Sequence, residues 1–133
     1  MKPLPHSYEV ALLGGPAGYA SLSTEGVPAL SSAPPKEFDG PGDAWSPEHL
    51  LLASVLACFM FTFRAVARGS NFDFLSLDLT GSGTVDRKDG VTCFTEIVLK
   101  PTVIGKENYQ PYDVPLESRT CPSWDEAAKL GTK

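Results

Sequence analysis

The sequence predicts a single α+β domain over residues 1–133 on three observations: one long apolar helix with clear start and stop signals, a strand–turn–strand pair after it, and a Gly- and Pro-rich first third that reads as short strands and turns. At 133 residues the chain can bury a core without disulfide or metal staples. Hydrophobic residues make up 42% and charged residues 20%, which excludes a wholly disordered chain.

Taken in order, residues 6–13 read as a strand, and Gly14-Gly15-Pro16 turns the chain. Residues 18–24 read as a weaker strand, with Tyr19, Ser21 and Ser23 alternating against Ala20 and Leu22. Glu25-Gly26 turns the chain again, and the Pro- and Gly-rich residues 31–45 read as a loop.

The helix is predicted over residues 47–68. Ser46 is a good N-cap, Pro47 suits the first helical position, and Glu48 sits where the helix dipole favours a carboxylate. Arg64 and Arg68 lie where the dipole favours cations, and Gly69 is the expected stop. A helix of that length is about 33 Å long. Leu50, Leu51, Leu52, Val55, Leu56, Phe59, Met60, Phe61 and Phe63 do not fit on one stripe, so the helix needs cover on more than one side. A single sheet covers one side. The small residues Ala53, Ser54, Ala57, Cys58 and Thr62 admit a second backbone, which favours a homodimer through this helix. The apolar run of residues 50–63 falls short of the roughly 20 residues a membrane span needs, so a buried helix of a soluble protein is expected.

After the helix, Leu75, Leu77 and Leu79 alternate with Ser76, Asp78 and Thr80, as in a half-buried strand. Gly81-Ser82-Gly83 reads as a bend or bulge, and Arg87-Lys88-Asp89-Gly90 as a hairpin turn. Residues 91–100 return as the antiparallel partner, with Cys93 in phase with Ile97 and Leu99. Residues 108–120 carry Pro111 and Pro115 and no helical period; Ser123 could cap a short helix over residues 124–130, ended by Gly131.

A net charge of −5 with scattered Lys and Arg leaves no basic footprint for nucleic acid. Nothing before Ser7 resembles a secretory leader, so a cytoplasmic location is expected. Three cysteines in such a chain do not make a disulfide framework. They are free, catalytic or redox-active. Neither His6 nor His49 has ligand spacing to a cysteine and there is no CxxC, so no metal or other cofactor is expected. On residues alone, Cys58 is either a small core residue or a reactive thiol, Glu48 a dipole partner or a site group, and Cys93 structural.

The segment from Trp45 to Phe59 resembles the signature of the OsmC/Ohr family: Pro47-Glu48 opening a long buried helix, and Ala57-Cys58-Phe59 with the cysteine ten residues after the glutamate. The resemblance covers about residues 38–104. It implies two intertwined chains, each with antiparallel sheets around a long central helix. It also implies thiol-dependent reduction of organic hydroperoxides by Cys58. Cys121 would then close a disulfide that a dithiol reductant reopens. Family members place an arginine, held by the glutamate, in their N-terminal region. Here no arginine precedes Arg64, and Lys36 lies roughly where some members have theirs. Lysine carries the charge without the planar fork. The chemistry needs such a charge, because a thiolate is the nucleophile and an apolar pocket alone suppresses ionisation. The same resemblance permits another reading: a dimeric module that binds a small hydrophobic ligand in an apolar interface pocket, with an inert Cys58.

Overall fold

The computed structural model describes residues 1–105 and the backbone of a strand at Pro111–Asp113. Its contacts group into two compact units, Met1–Leu50 and Leu51–Lys133.

The first unit holds a three-stranded antiparallel sheet in the order β1 (Ala11–Leu13), β2 (Ala20–Ser23), β3 (Leu30–Ser32). The two expected strands are present but shorter than predicted. The third starts just before the stretch read as loop. Its register puts Leu12, Leu22 and Leu30 in one cross-strand row. Such a row is where side-chain contact stabilises a sheet most. Between β3 and the helix, the loop is tied at its root: Ala33 N–H donates to the Trp45 carbonyl at 3.3 Å and Ser32 Oγ donates to the same oxygen at 2.6 Å. A 3-10 turn, Lys36–Phe38, lies within the loop, capped by Asp39 in the left-handed region.

Helix α1 runs unbroken over Pro47–Gly69. Its C-terminus differs from expectation. Gly69 is still helical, and the left-handed residue is Asn71, at φ 53°. Phe72 N–H donates to the Ala67 carbonyl at 2.8 Å and Asn71 N–H to the Arg68 carbonyl at 3.3 Å. This is a Schellman ending, with Asn in the position where Gly is commoner. The hydrophobic contact that accompanies such endings is made by Phe72, edge-on to Phe63 at 6.5 Å.

In the second unit, β4 (Phe74–Lys88) and β5 (Val91–Gly105) form a long antiparallel hairpin, and β6 (Pro111–Asp113) adds to β5. Asp89 and Gly90, both at positive φ, make the predicted two-residue turn. The expected bend at residues 81–83 is absent: β4 passes straight through. Both glycines instead let the helix come close. A Cβ on Gly81 would lie 2.9 Å from Leu56 Cδ2, and one on Gly83 would lie 3.1 Å from Leu52 Cδ2. Leu52 and Leu56 are one helical turn apart, so α1 lays one ridge along β4. Further along, Phe63 meets Phe74 edge-on at 4.9 Å.

The hairpin has two irregularities: one at Leu75, between Phe74 and Ser76, and one just past the predicted bend, where Thr84 pairs with Glu96 but Val85 pairs with Phe94. Thr95 is the extra residue. It reverses the alternation, so Cys93, paired with Asp86, is out of phase with Ile97 and Leu99, which pair with Gly83 and Gly81. Cys93 is nonetheless buried.

Candidate functional site

The site residues hang on the two ends of α1's first three turns. Ser46 is fully buried and caps the helix: its Oγ accepts the His49 backbone N–H at 3.1 Å. The same hydroxyl lies within hydrogen-bond distance of His49 Nδ1, at 2.6 Å. Both contacts of His49, through its backbone and through its ring, therefore fall on the one Ser46 hydroxyl. His49 is itself exposed.

Glu48, at the second helical position, is half-buried, and its Oε2 atom is buried with no hydrogen-bond partner among the described residues. Leaving a carboxylate oxygen so costs roughly 1–3 kcal/mol, more if charged, so the position calls for a donor. Lys36 does not supply it within the protomer. Lys36 is exposed on the 3-10 turn, and its aliphatic stem lies across Gly42.

Cys58 is half-buried at the start of the fourth turn. Because α1 is continuous, the ten residues from Glu48 to Cys58 span about 15 Å along the axis, and the two side chains of one chain do not meet. A kink that would bring them together is absent. Only Val55 and Ala67 of the helix are buried. Ser54, Ala57, Phe61, Arg64 and Arg68 make an exposed stripe on successive turns. Phe61 is 60% exposed, which for a large aromatic in mid-helix marks a face without cover in one protomer. The Arg64 guanidinium stacks over the Phe61 ring at 5.2 Å, which occupies it on that stripe. Cys121 and the short helix expected over residues 124–130 lie outside the described residues. Among the described residues no group of three or more His, Cys, Asp or Glu side chains could hold a metal ion.

One pair was not foreseen from the sequence. Tyr19, on the threshold of β2, donates its phenol to both carboxylate oxygens of Asp43, at 2.7 and 2.9 Å. That hydrogen bond, with burial and the carboxylate's charge behind it, pushes the Tyr19 phenol above its usual range. The residues lie 24 positions apart, with β2, β3 and the loop after it between them, so no periodicity could have announced the contact.

A capped glutamate and a half-buried cysteine on one long apolar helix, laid along an antiparallel hairpin with a second small sheet in the chain, define an α+β protein of OsmC-like architecture. The model of the OsmC-like protein family matches residues 40–113, which takes in Glu48, Cys58 and the hairpin, and the chain belongs to that family. Among curated proteins it is similar to the uncharacterized protein YmaD of Bacillus subtilis (strain 168), 31% identical over 87 residues, or 65% of this chain and 58% of that one. The chain thus matches little more than half the length of that relative. Among solved structures it resembles an OsmC-like protein of unknown function from Vibrio cholerae O1, at TM-score 0.68 and 13% identity, over 96% of this chain and 88% of that one. It also resembles an organic hydroperoxide resistance protein OsmC from Legionella pneumophila, at TM-score 0.59 and 20% identity, over 98% and 87%. At those identities the structures speak for the fold. Helix α1 is long and apolar enough to cross a membrane by length and composition, contrary to the estimate from the sequence.

Proposed function

We propose that this protein is a thiol-dependent peroxidase of the cytoplasm that reduces organic hydroperoxides as a homodimer, with Cys58 attacking and Cys121 resolving. The observation that carries the reading is the family match over the segment that holds both Glu48 and Cys58 at the signature spacing. The Legionella pneumophila structural neighbour, a hydroperoxide resistance protein, supports the same class of chemistry.

The steps balance as follows. The Cys58 thiolate attacks one peroxide oxygen; an S–O bond forms, the O–O bond breaks, and the alkoxide leaves as alcohol on taking a proton. The sulfur is now a sulfenic acid. The Cys121 thiolate attacks it; an S–S bond forms, the S–O bond breaks, and hydroxide leaves as water on taking a proton. An external dithiol reduces the disulfide and is itself oxidised. Glu48 cannot act on Cys58 of its own chain across about 15 Å of straight helix. In this reading it acts on the partner's site, and a second copy covers the exposed stripe of Ser54, Ala57 and Phe61.

Turnover of cumene hydroperoxide with dithiothreitol as reductant tests the proposal. Cys58→Ser should abolish turnover, and sedimentation equilibrium should give twice the chain's mass. Unchanged turnover in Cys58→Ser sinks the enzyme reading.

A second reading has a specific observation behind it. The Glu48 Oε2 atom has no partner among the described residues, and no arginine precedes Arg64. A dimeric OsmC-like module that holds a small hydrophobic ligand would not need the cation. It predicts an inert Cys58 and a ligand retained through purification. Native mass spectrometry showing only bare protein would argue against it.

A further inference from the structure

The dipeptide Asp-Gly occurs twice in the chain, as Asp39-Gly40 in the loop before α1 and as Asp89-Gly90 at the tip of the β4–β5 hairpin. It is a pairing open to attack of the backbone on a side chain, because glycine has no Cβ to shield its nitrogen. The glycine amide nitrogen attacks the aspartate Cγ: a C–N bond forms, a C–O bond breaks, and the oxygen leaves as water. Water then opens the five-membered imide at either carbonyl. Opening at the side-chain carbonyl restores aspartate. Opening at the main-chain carbonyl leaves isoaspartate, with the backbone routed through the former side chain. One water leaves and one returns, so the step needs no oxidant or reductant and the mass is unchanged.

The fold treats the two copies of this dipeptide differently. Both aspartates are exposed and left-handed, at φ 61° and 53°. A left-handed backbone holds the carboxyl carbon away from the following nitrogen, so the ring closes only after the turn opens. At Asp39 the turn is bound on every side. The Gly40 N–H donates to the Pro35 carbonyl at 2.9 Å and the Asp39 N–H to the Lys36 carbonyl at 3.0 Å. Gly40 itself is wedged, since a Cβ on it would overlap the Pro34 carbonyl. Pro34, Pro35 and Pro41 fix φ on both sides of the turn. The loop is shut at its root by Ser32 and Ala33 on Trp45, and Asp43 is held by the Tyr19 clamp.

At Asp89 none of these ties exists among the described residues. The Gly90 N–H has no backbone partner there, and nothing lies within 4 Å of the Gly90 Cβ position. Residues 82–92 are all exposed, and the ridge of α1 meets β4 at Gly81 and Gly83, well before the turn. The turn is closed by the adjoining Lys88–Val91 pair. An exposed tip with few packed contacts belongs to the part of a fold that opens most readily.

We propose that Asp89 is a site of spontaneous isoaspartate formation in the folded protein, and that Asp39, followed by the same residue, is protected by its loop. The inference stands apart from the thiol chemistry. Isoaspartate adds a methylene to the backbone of a two-residue turn that needs positive φ at both positions, so modification at Asp89 unseats the Lys88–Val91 pair.

The test ages the full-length protein for several weeks in mildly acidic buffer, one sample folded and one in urea. Isoaspartate is tagged by an isoaspartyl carboxyl methyltransferase and located by electron-transfer mass spectrometry of peptides. In the folded protein it should accumulate at Asp89 about tenfold faster than at Asp39, a ratio set by the difference in ease of local opening. In urea the two positions should react at comparable rates. Asp89→Glu, whose longer side chain cannot close a five-membered ring, should leave the tip peptide untagged. Equal rates at the two positions in the folded protein overturn the proposal. So does a folded Asp89 that stays untagged while the urea sample reacts at both positions. A ratio that survives in urea assigns the contrast to flanking residues and overturns it as well.

Discussion

Replacing Gly83 with valine drives a branched side chain into the seam where Leu52 of α1 meets the hairpin. A Cβ at that position would lie 2.7 Å from Phe94 Cε1 and 3.1 Å from Leu52 Cδ2. At Gly81 the neighbours are Leu56 Cδ2 at 2.9 Å and Leu99 Cδ2 at 3.0 Å. These atoms are side-chain tips, so alanine can be accepted by small rotations. Valine adds two further methyl groups that the helix must move to admit. Overpacking of this kind costs about 1–3 kcal/mol. The better strand preference of valine returns up to about 1 kcal/mol. The net expectation is a loss of about 1–2 kcal/mol for either substitution, or a fall in Tm of about 3–8 °C for a chain of this size. Gly15→Ala is the control: nothing lies within 4 Å of its Cβ position, and it should be neutral or slightly stabilising, by up to about 1 kcal/mol. Urea unfolding at one fixed protein concentration reads the effect, since an oligomer's midpoint moves with concentration. A Gly83→Val midpoint at or above the wild type's would refute the claim that these glycines exist to seat the helix.

Other outcomes follow from single contacts. Ser46→Ala removes the helix N-cap and strands the His49 N–H and Nδ1, and should lower the unfolding free energy by about 1 kcal/mol in the same urea assay. Asn71→Ala forces a Cβ-bearing residue without a polar side chain into the left-handed position of the Schellman ending; about 1 kcal/mol is lost, whereas Asn71→Gly should cost little. The Tyr19 phenol is neutral when it donates to Asp43, and its folded-state pKa is raised, so the clamp's stabilisation is fully present below the ordinary phenol range and fades as pH climbs through the raised value. Ultraviolet titration of wild type minus Tyr19→Phe should therefore show a phenol that ionises above pH 10; a difference curve centred below that value would contradict the clamp.

What could be read from the residues depended on how local the determining contact is. Ser46, Pro47 and Glu48 announce the start of α1 because capping acts within one turn, and the cap forms as expected. The end was misplaced by two residues because Gly69 is the commoner terminator, while the Schellman bonds here put Asn71 in the left-handed position. Gly81 and Gly83 looked like a break, since a glycine in a strand signals a bend or a close approach with the same letter. Deciding between them takes Leu56, 25 positions before Gly81, and Leu52, 31 positions before Gly83. The bulge at Thr95 has no signature in composition, and missing it put Cys93 on the wrong alternation. Strand β3 is three residues long in a Pro-rich stretch, and only its pairing with β2 makes it a strand. Of the site, Glu48 and Cys58 were legible from the family's spacing. The orphaned Glu48 oxygen and the lie of the Lys36 stem across Gly42 were not, because both depend on where side chains lie in three dimensions.

The thiol chemistry itself is open to one direct measurement. The reduced protein is mixed with one equivalent of cumene hydroperoxide, quenched with an alkylating agent and mapped by peptide mass spectrometry. Peroxidase action through these residues predicts rapid loss of two hydrogens, with a new Cys58–Cys121 linkage and Cys93 still alkylated as a thiol. Full alkylation of Cys58, with the hydroperoxide left unconsumed, would contradict it.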